Sequence, residues 1–362
     1  MTLSVTIYQQ FSGITLDIAF EAPKGITALF GPSGAGKTSV INTVAGLLRP
    51  DRGRIVVGGT TLLDSSAGIC VPPHKRGIGY VFQDGRLFPH MTVAQNLRYG
   101  QRFACGRPRI AEFGHIVEIL GIEAILGRRP SQLSGGEKSR VSLGRAILSS
   151  PRILLMDEPM AALDEARKAG ILPYLERLHH ELHLPILYVS HSLQEVVQLA
   201  ETIVLLANGR VSMAGPTAEV LSDPASAAML GTRMTGAVIT ARVEAQEDDG
   251  LTRLATAGGP LFLPHVTALP GARLRLRILA QDVMLALTPP RQISALNILL
   301  TRVESLGDRH DGGMLVRLSL GGDSLLSHIT DRSVETLGLS FGQEVYAVIK
   351  AVSLVAGGAD SL

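Results

Sequence analysis

Gly31 to Thr38, GPSGAGKT, fits the pattern G-x-x-x-x-G-K-[ST], with Gly31, Gly36, Lys37 and Thr38 at its fixed positions. The apolar run Ile26 to Phe30 leads in as a strand, and Thr38 to Leu48 leads out with a composition that suits a helix. That strand–loop–helix context turns a pattern into a structural expectation, a phosphate-binding loop. Gly31, Gly34 and Gly36 let the backbone curl so that its N–H groups and the helix N-terminus point at anionic oxygens. Lys37 is expected to reach the β- and γ-phosphates, and the Thr38 hydroxyl to ligate Mg²⁺. The expected nucleotide-binding segment is therefore Gly31, Pro32, Ser33, Gly34, Ala35, Gly36, Lys37, Thr38 and Ser39.

Around this loop stand 362 residues, enough for two domains. The net charge is +2, so no broad basic field argues for nucleic acid as a partner. Two cysteines, Cys70 and Cys105, are too few for a disulfide framework and lack metal-ligand spacing, which makes the cytoplasm the expected compartment. Neither a secretory leader nor a run long enough to cross a bilayer is expected. A mean hydropathy of +0.26 is high for a chain in water. Either partners cover part of its apolar surface or its α/β core is rich.

Residues 3 to 20 alternate as antiparallel strands do, and carry the aromatics Tyr8, Phe11 and Phe20. Arg49 to Gly53 is a turn cluster, with strand resuming at Arg54 to Val57. Gly77 to Gln83, GIGYVFQ, describes a buried strand ending in an amide, where Gln83 can contact both Mg²⁺ and an attacking water. Leu87, Phe88 and Met91 follow in a loop before a short helix and suggest a docking surface, the equal alternative being that they tuck into the domain. Residues 109 to 126 carry helix-spaced apolar positions.

Leu133 to Glu137 read LSGGE before a helix that runs to about Ser149. Ser134 and Glu137 have capping-box spacing, so Ser134 should cap that helix and present its N-terminal N–H groups outward. Gly135 and Gly136 lower helix propensity in the first turn but admit an anion to the backbone, which favours phosphate binding. Ile153 to Glu158, ILLMDE, is an apolar strand ending in two acids. Such a strand delivers Asp157 and Glu158 to the carboxyl edge of a parallel sheet. Asp157 is expected to hold Mg²⁺, and Glu158 to orient or deprotonate the attacking water. Ala161 to Asp164 should pack at an edge of the site. A further strand, Ile186 to Val189, ends at Ser190-His191, and His191 can hydrogen-bond a γ-phosphate or the catalytic carboxylate.

Together these segments resemble the ATP-binding subunits of ABC transporters, in the family's order: phosphate loop, Gln83, LSGGE, ILLMDEP, Ala161 to Asp164, and a switch histidine at His191. The resemblance implies an α/β P-loop cassette with a helical subdomain, working as a head-to-tail homodimer. ATP would lie between the phosphate loop of one subunit and Ser134, Gly135 and Gly136 of the other, with Asp164 beside it. In such cassettes an aromatic near the first strands commonly stacks on adenine, and Phe11 is the best-placed candidate, although no local motif fixes it and a plain core or surface role is the favoured alternative.

The expected boundary lies at 230/231. From Ala237 onward short alternating strands are separated by Gly and Pro turns, which suggests a small all-β barrel of OB-like type. This part is similar to the C-terminal region of molybdate-importer ATPases, whose last portion is an oxyanion-binding Mop module, here about residues 292 to 356. Ser294-Ala295-Leu296-Asn297 matches the module's Ser-Ala-Arg-Asn segment except that Leu296 replaces arginine. Ser294, Asn297, Thr330 and Lys350 are the implied contacts to molybdate or tungstate, weakened by the lost guanidinium.

The implied function is ATP hydrolysis that drives molybdate uptake through separate permease subunits, at the cytoplasmic face of the plasma membrane. An extracytoplasmic oxyanion-binding protein would feed the permease. The same engine serving sulfate, tungstate, a sugar or a metal is the alternative. A ribosome- or DNA-directed ATPase would usually carry two cassettes or a long coiled-coil insertion, and neither is present. A plain oxyanion store would leave Lys37, Glu158 and His191 unused.

Overall fold

The computed structural model describes residues 3–102, 109–161, 163, 168, 170–182, 184–226, 230, 235–310, 313–353 and 355–360. By contacts the chain divides into two compact units, Met1–Gly215 and Pro216–Leu362.

The first unit is built on one large sheet. Strands β1 (Leu3–Gln10) and β2 (Thr15–Ala22) form an antiparallel pair from Leu3 opposite Ala22 to Gln10 opposite Thr15. Residues along β2 alternate strictly between exposed and buried, as its sequence does. Next come β3 (Ile26–Phe30), α1 (Lys37–Ala45), β4 (Arg52–Val57), β5 (Thr60–Asp64), β6 (Ile69–Cys70) and β7 (Ile78–Val81). Three helices follow, α2 (Val93–Gln101), α3 (Phe113–Leu120) and α4 (Gly135–Leu148). The remainder is β8 (Ile153–Asp157), α5 (Leu172–Leu182), β9 (Ile186–Val189), α6 (Leu193–Leu199), β10 (Thr202–Ala207) and β11 (Arg210–Pro216).

The strand order is β6-β5-β4-β1-β2-β11-β10-β3-β9-β8-β7, in which β10, β3, β9, β8 and β7 run parallel. Every residue of β3 and β9 is buried, which explains why these strands read as continuous apolar runs. Val40, Ile41 and Val44 of α1 pack on Leu29, Leu155, Leu187 and Val204 in the main core. Register then fixes the site: Val189 pairs with Leu29 on one side and with Asp157 on the other. The residues that follow β3, β8 and β9 therefore emerge along one carboxyl edge, where open α/β sheets bind ligands.

Beside the sheet, α2, α3 and α4 pack together through Val93, Leu97, Ile116, Leu120 and Val141, all buried. Thr92 and Gln95 close a capping box at the start of α2. Only part of the helical pattern at 109 to 126 is α-helix, because Gly121 takes a left-handed φ of 56° and ends α3.

The second unit opens with α7 (Thr217–Leu221), which packs on β12 (Gly236–Gln246). That contact sets the division ahead of 230/231, the position expected from composition. The unit continues with β13 (Leu251–Thr256), β14 (Gly259–Pro264), β15 (Arg273–Leu279), β16 (Met284–Ala286), β17 (Asn297–His310), β18 (Gly313–Leu320) and β19 (Asp323–Thr330). It ends with α8 (Asp331–Leu337), β20 (Glu344–Ile349) and β21 (Val355–Asp360). Two five-stranded sheets result, β14-β13-β12-β15-β21 and β16-β20-β17-β18-β19. They share one core, with Ile239, Leu254 and Leu276 from the first and Leu299, Val316 and Val345 from the second. The expected all-β architecture holds, with the addition of α8, which Thr330 caps and Gly338 terminates.

Candidate active site

The phosphate loop joins the end of β3 to α1. Gly36, the residue before the helix, has φ 101°, and a Cβ there would lie 2.5 Å from Leu16 Cδ2, so glycine is required twice over. No side chain caps α1, which leaves its first-turn N–H groups to an outside partner. Lys37, 4% exposed, folds its ammonium back on the loop and donates to Gly31 O and Pro32 O at 2.8 Å each. Burial lowers its pKa, opposed by the carboxylates of Glu158 and Asp157.

Thr38 Oγ1 donates to Asp157 Oδ1 at 3.3 Å, and the Tyr80 hydroxyl stands 3.3 Å from Asp157 Oδ2. Burial raises the Asp157 pKa, and these two hydrogen bonds pull it back. Glu158 has a left-handed φ of 47°, uncommon for a residue with a side chain, and its N–H donates to Val189 O. Its carboxylate meets His191 Nε2 in an ion-pair contact. Glu158 is mostly buried there, while the His191 ring is about half exposed.

A cavity of about 310 Å³ lies over the loop, lined by Phe11, Ser33, Lys37, Thr38, Glu158 and His191 among others. A second, of about 640 Å³, adjoins it through Thr38, Ser39 and Phe11 and reaches Asn42, Tyr80, Gln83 and Asp157. Phosphate-loop residues, both acids, Gln83 and His191 thus surround one continuous region, with Phe11 at its rim.

Ser134, Gly135 and Gly136 line neither cavity. Ser134 N donates to Glu137 Oε2 at 2.7 Å, and Glu137 N to Ser134 Oγ at 3.3 Å, the reciprocal pair that the spacing predicts. A Cβ on Gly135 would lie 3.0 Å from Leu163 Cδ2, so the start of α4 packs against the segment after Asp157 and Glu158. Of that segment, Ala162 and Asp164 lie outside the described residues.

Sequence reading missed two groups of partners. One is Tyr80 with Asn42, 3.0 Å apart. The other surrounds Glu195, a buried carboxylate that accepts from Tyr188 and Ser190 at 2.7 and 2.6 Å and pairs with Lys168 at 3.3 Å. These bonds grip the residues flanking His191. The S-x-x-E spacing of Ser192 and Glu195 was a visible signal, but it suggests a cap only. The Glu195 N–H does meet Ser192 Oγ, whereas its carboxylate turns inward.

The loop after Gln83 projects less than expected. Leu87 and Phe88 are half-buried, because Phe88 packs against a tilted Tyr99 ring and under Arg145 while Asn96 binds its backbone at both ends. Arg145 also donates to Arg86 O and Gly85 O, tying the loop to α4.

In the second unit, Asn297 is buried, with its amide bonded both ways to the Phe262 backbone at 2.7 and 2.9 Å. Asn297 pairs with Ile349, so Lys350 adjoins it, and Ser294 is exposed nearby in sequence. Thr330 pairs with Gly313, itself opposite His310 at the far end of β17. Register therefore brings Asn297 beside the end of β20, next to Lys350, and sets Thr330 apart, while Ser294 lies in the segment just before β17.

The ABC transporter family matches residues 15–161 and the TOBE domain family residues 293–356. A protein from Rhizobium johnstonii, "Molybdenum import ATP-binding protein ModC", is 49% identical over 98% of this chain and 100% of its own. The protein of the same name from Rhodospirillum rubrum is 48% identical over 98% of this chain and 97% of its own. A solved ATP-binding cassette of an ABC transporter superposes with a TM-score of 0.53 at 25% identity, covering 63% of this chain and 97% of that one. With its cassette followed by a TOBE domain, the chain belongs to the ModC family of ABC-transporter ATP-binding proteins.

Proposed function

We propose that two copies of this chain hydrolyse ATP between them, head to tail, and so drive molybdate uptake through separate membrane subunits. One observation carries the dimer: two glycine-bearing helix starts suited to phosphate occur in one cassette, yet Ser134 to Gly136 stand outside the cavity that Lys37 lines. A second copy supplies the missing wall. No helix among the described residues is long and apolar enough to cross a membrane, which is consistent with a peripheral subunit at the cytoplasmic face.

The loop N–H groups and the start of α1 receive the phosphates, and Lys37 exchanges the Gly31 and Pro32 carbonyls for phosphate oxygens. Phe11 offers a ring for the adenine. Thr38 and Asp157 supply hard oxygens 3.3 Å apart, a donor set that suits Mg²⁺, and Gln83 lies within the same cavity lining. When bound, Mg²⁺ would neutralise charge on the transferring phosphate. Glu158 orients the attacking water and draws off its proton, while His191 Nε2 fixes the carboxylate and stands ready at the γ-phosphate. The partner's Ser134 to Gly136 close the site.

The substrate assignment is supported by the names of the full-length relatives. Ser294, Asn297, Thr330 and Lys350 form the regulatory oxyanion site of this reading. With Asn297 committed to Phe262 and Thr330 at the other end of β17, that site draws Thr330 from a second copy and uses backbone N–H groups in place of an Asn297 side-chain donor. The test is reconstitution with the permease in vesicles. ATP-driven uptake of radiolabelled molybdate, outcompeted by tungstate and not by sulfate, is the expected result. Uptake of sulfate alone would transfer the engine to another ion.

A further inference from the structure

Tyr80 and Asn42 have no part in the chemistry above, yet they touch its metal-holding acid. Tyr80 sits in β7 with its ring stacked on Phe82, centroids 4.0 Å apart. Its hydroxyl lies 3.3 Å from Asp157 Oδ2 and 3.0 Å from Asn42 Oδ1. A phenol has a single hydrogen, so it cannot donate to both oxygens.

The conflict disappears when the Asn42 amide is turned about its axis, which exchanges two ends of the same shape. Asn42 Nδ2 then donates to the phenol oxygen, and the phenol donates to Asp157 Oδ2. Every group in the chain now has a partner of the right kind. A phenol carries its hydrogen at neutral pH, so it has one to donate. Asn42 lies four residues after Thr38 on α1, and residues so spaced share a helix face. One face of α1 therefore reaches both oxygens of Asp157: Oδ1 directly through Thr38, and Oδ2 through Asn42 and Tyr80.

We propose that Asn42 and Tyr80 form a relay that holds the Asp157 carboxylate in the orientation that receives the divalent cation of the nucleotide. Tyr80 is a positioning residue, acting through Asp157. The inference rests on the reading that Thr38 and Asp157 hold that cation.

The experiment uses Mn²⁺ in place of Mg²⁺, with a non-hydrolysable ATP analogue and the full chain, and reads bound metal by electron paramagnetic resonance. Tyr80→Phe keeps the ring and its stack on Phe82 while deleting the hydroxyl. Groups that orient a metal ligand are worth roughly 10- to 100-fold in metal affinity, and with a 3.3 Å bond the lower end, about tenfold, is expected. Binding of the analogue in EDTA should be unchanged. Asn42→Ala should weaken Mn²⁺ in the same way, and the double variant should lose no more than the larger single loss. Asp157→Asn separates the two levels. If Asp157→Asn weakens Mn²⁺ while Tyr80→Phe titrates like wild type, the relay is wrong and the metal site stands. If Asp157→Asn leaves Mn²⁺ binding intact, the metal assignment itself falls and the relay with it. Equal loss of EDTA-resistant binding in Tyr80→Phe would also overturn the relay, by showing that the hydroxyl shapes the nucleotide cleft instead.

Discussion

Helices α1 and α4 both begin among glycines, and they meet the shortage of first-turn partners in opposite ways. Gly36 brings the chain into α1 at φ 101° with no capping side chain, so the start of the helix is incomplete without a ligand. Ser134 and Glu137 close a full capping box on α4, and the Ser134 backbone N–H holds the Glu137 carboxyl below its usual range. That acid already meets the helix's positive end, leaving mainly the Gly135 and Gly136 N–H groups for an outside anion. On the proposed reading, the open start governs whether nucleotide binds and the self-satisfied start adds to a complex already formed, which assigns binding to α1 and closure to α4.

Glu158 probes the chemistry between the two helix starts and should give the largest effect. Glu158→Gln should lower hydrolysis roughly a hundred- to ten-thousand-fold, the usual range for a general base, while ATP still binds. Steady-state turnover and filter binding on the same preparation check both halves, and full turnover would remove Glu158 from the base role. Next come Lys37→Ala and Ser134→Arg. A lost charged hydrogen-bonding partner costs about 1.5–3 kcal/mol, so Lys37→Ala should weaken ATP about ten- to a hundredfold. Ser134→Arg should leave affinity for ATP within about twofold yet abolish turnover, since a bulky cation at the seam blocks closure without touching the cavity Lys37 lines. Calorimetric titration with ATP separates them, and equal loss of affinity in both variants would erase the contrast. The smallest effect is expected from Ser134→Ala, which deletes the capping hydroxyl of α4 and keeps the backbone N–H groups that face the partner's nucleotide. A cap of this kind is worth about 1 kcal/mol, to be read as a lowered urea midpoint for the cassette with ATP affinity unchanged. An unchanged midpoint would mean that Glu137 alone sustains the start of α4.

Local features of the site were legible because each rests on a short-range rule. The glycine pattern required a tight loop, capping-box spacing required the start of α4, and apolar runs ending in Asp157 or His191 required buried strands with polar ends. Convergence of those ends on one edge follows from parallel pairing, which the runs imply. Partnerships between distant segments were not legible. Nothing in GIGYVFQ announces that Tyr80 reaches Asn42, thirty-eight residues earlier, nor does YVSHSLQE announce that Glu195 turns inward to Tyr188 and Ser190. Asn297 is a case of the same kind: its motif suggests a ligand donor, and nothing in it announces the bonds of its amide to the Phe262 backbone. Leu87 and Phe88 read as projecting loop residues because the sequence does not reveal Arg145 and Tyr99 packed over Phe88. In the second unit α8 escaped notice, because a seven-residue helix between Thr330 and Gly338 carries little periodicity.

The composite site is the central claim, and one labelling measurement tests it directly. Isotopically heavy chain carrying Lys37→Ala is mixed with light wild-type chain and an ATP analogue bearing a photoreactive group on its γ-phosphate, irradiated, and digested for peptide mass analysis. The account predicts adducts on Ser134 to Gly136 of the heavy chain, which appear only when the light chain is present. Adducts confined to the light chain, on its phosphate loop and its own Ser134 to Gly136 alike, would contradict the account and place the whole site within a single subunit.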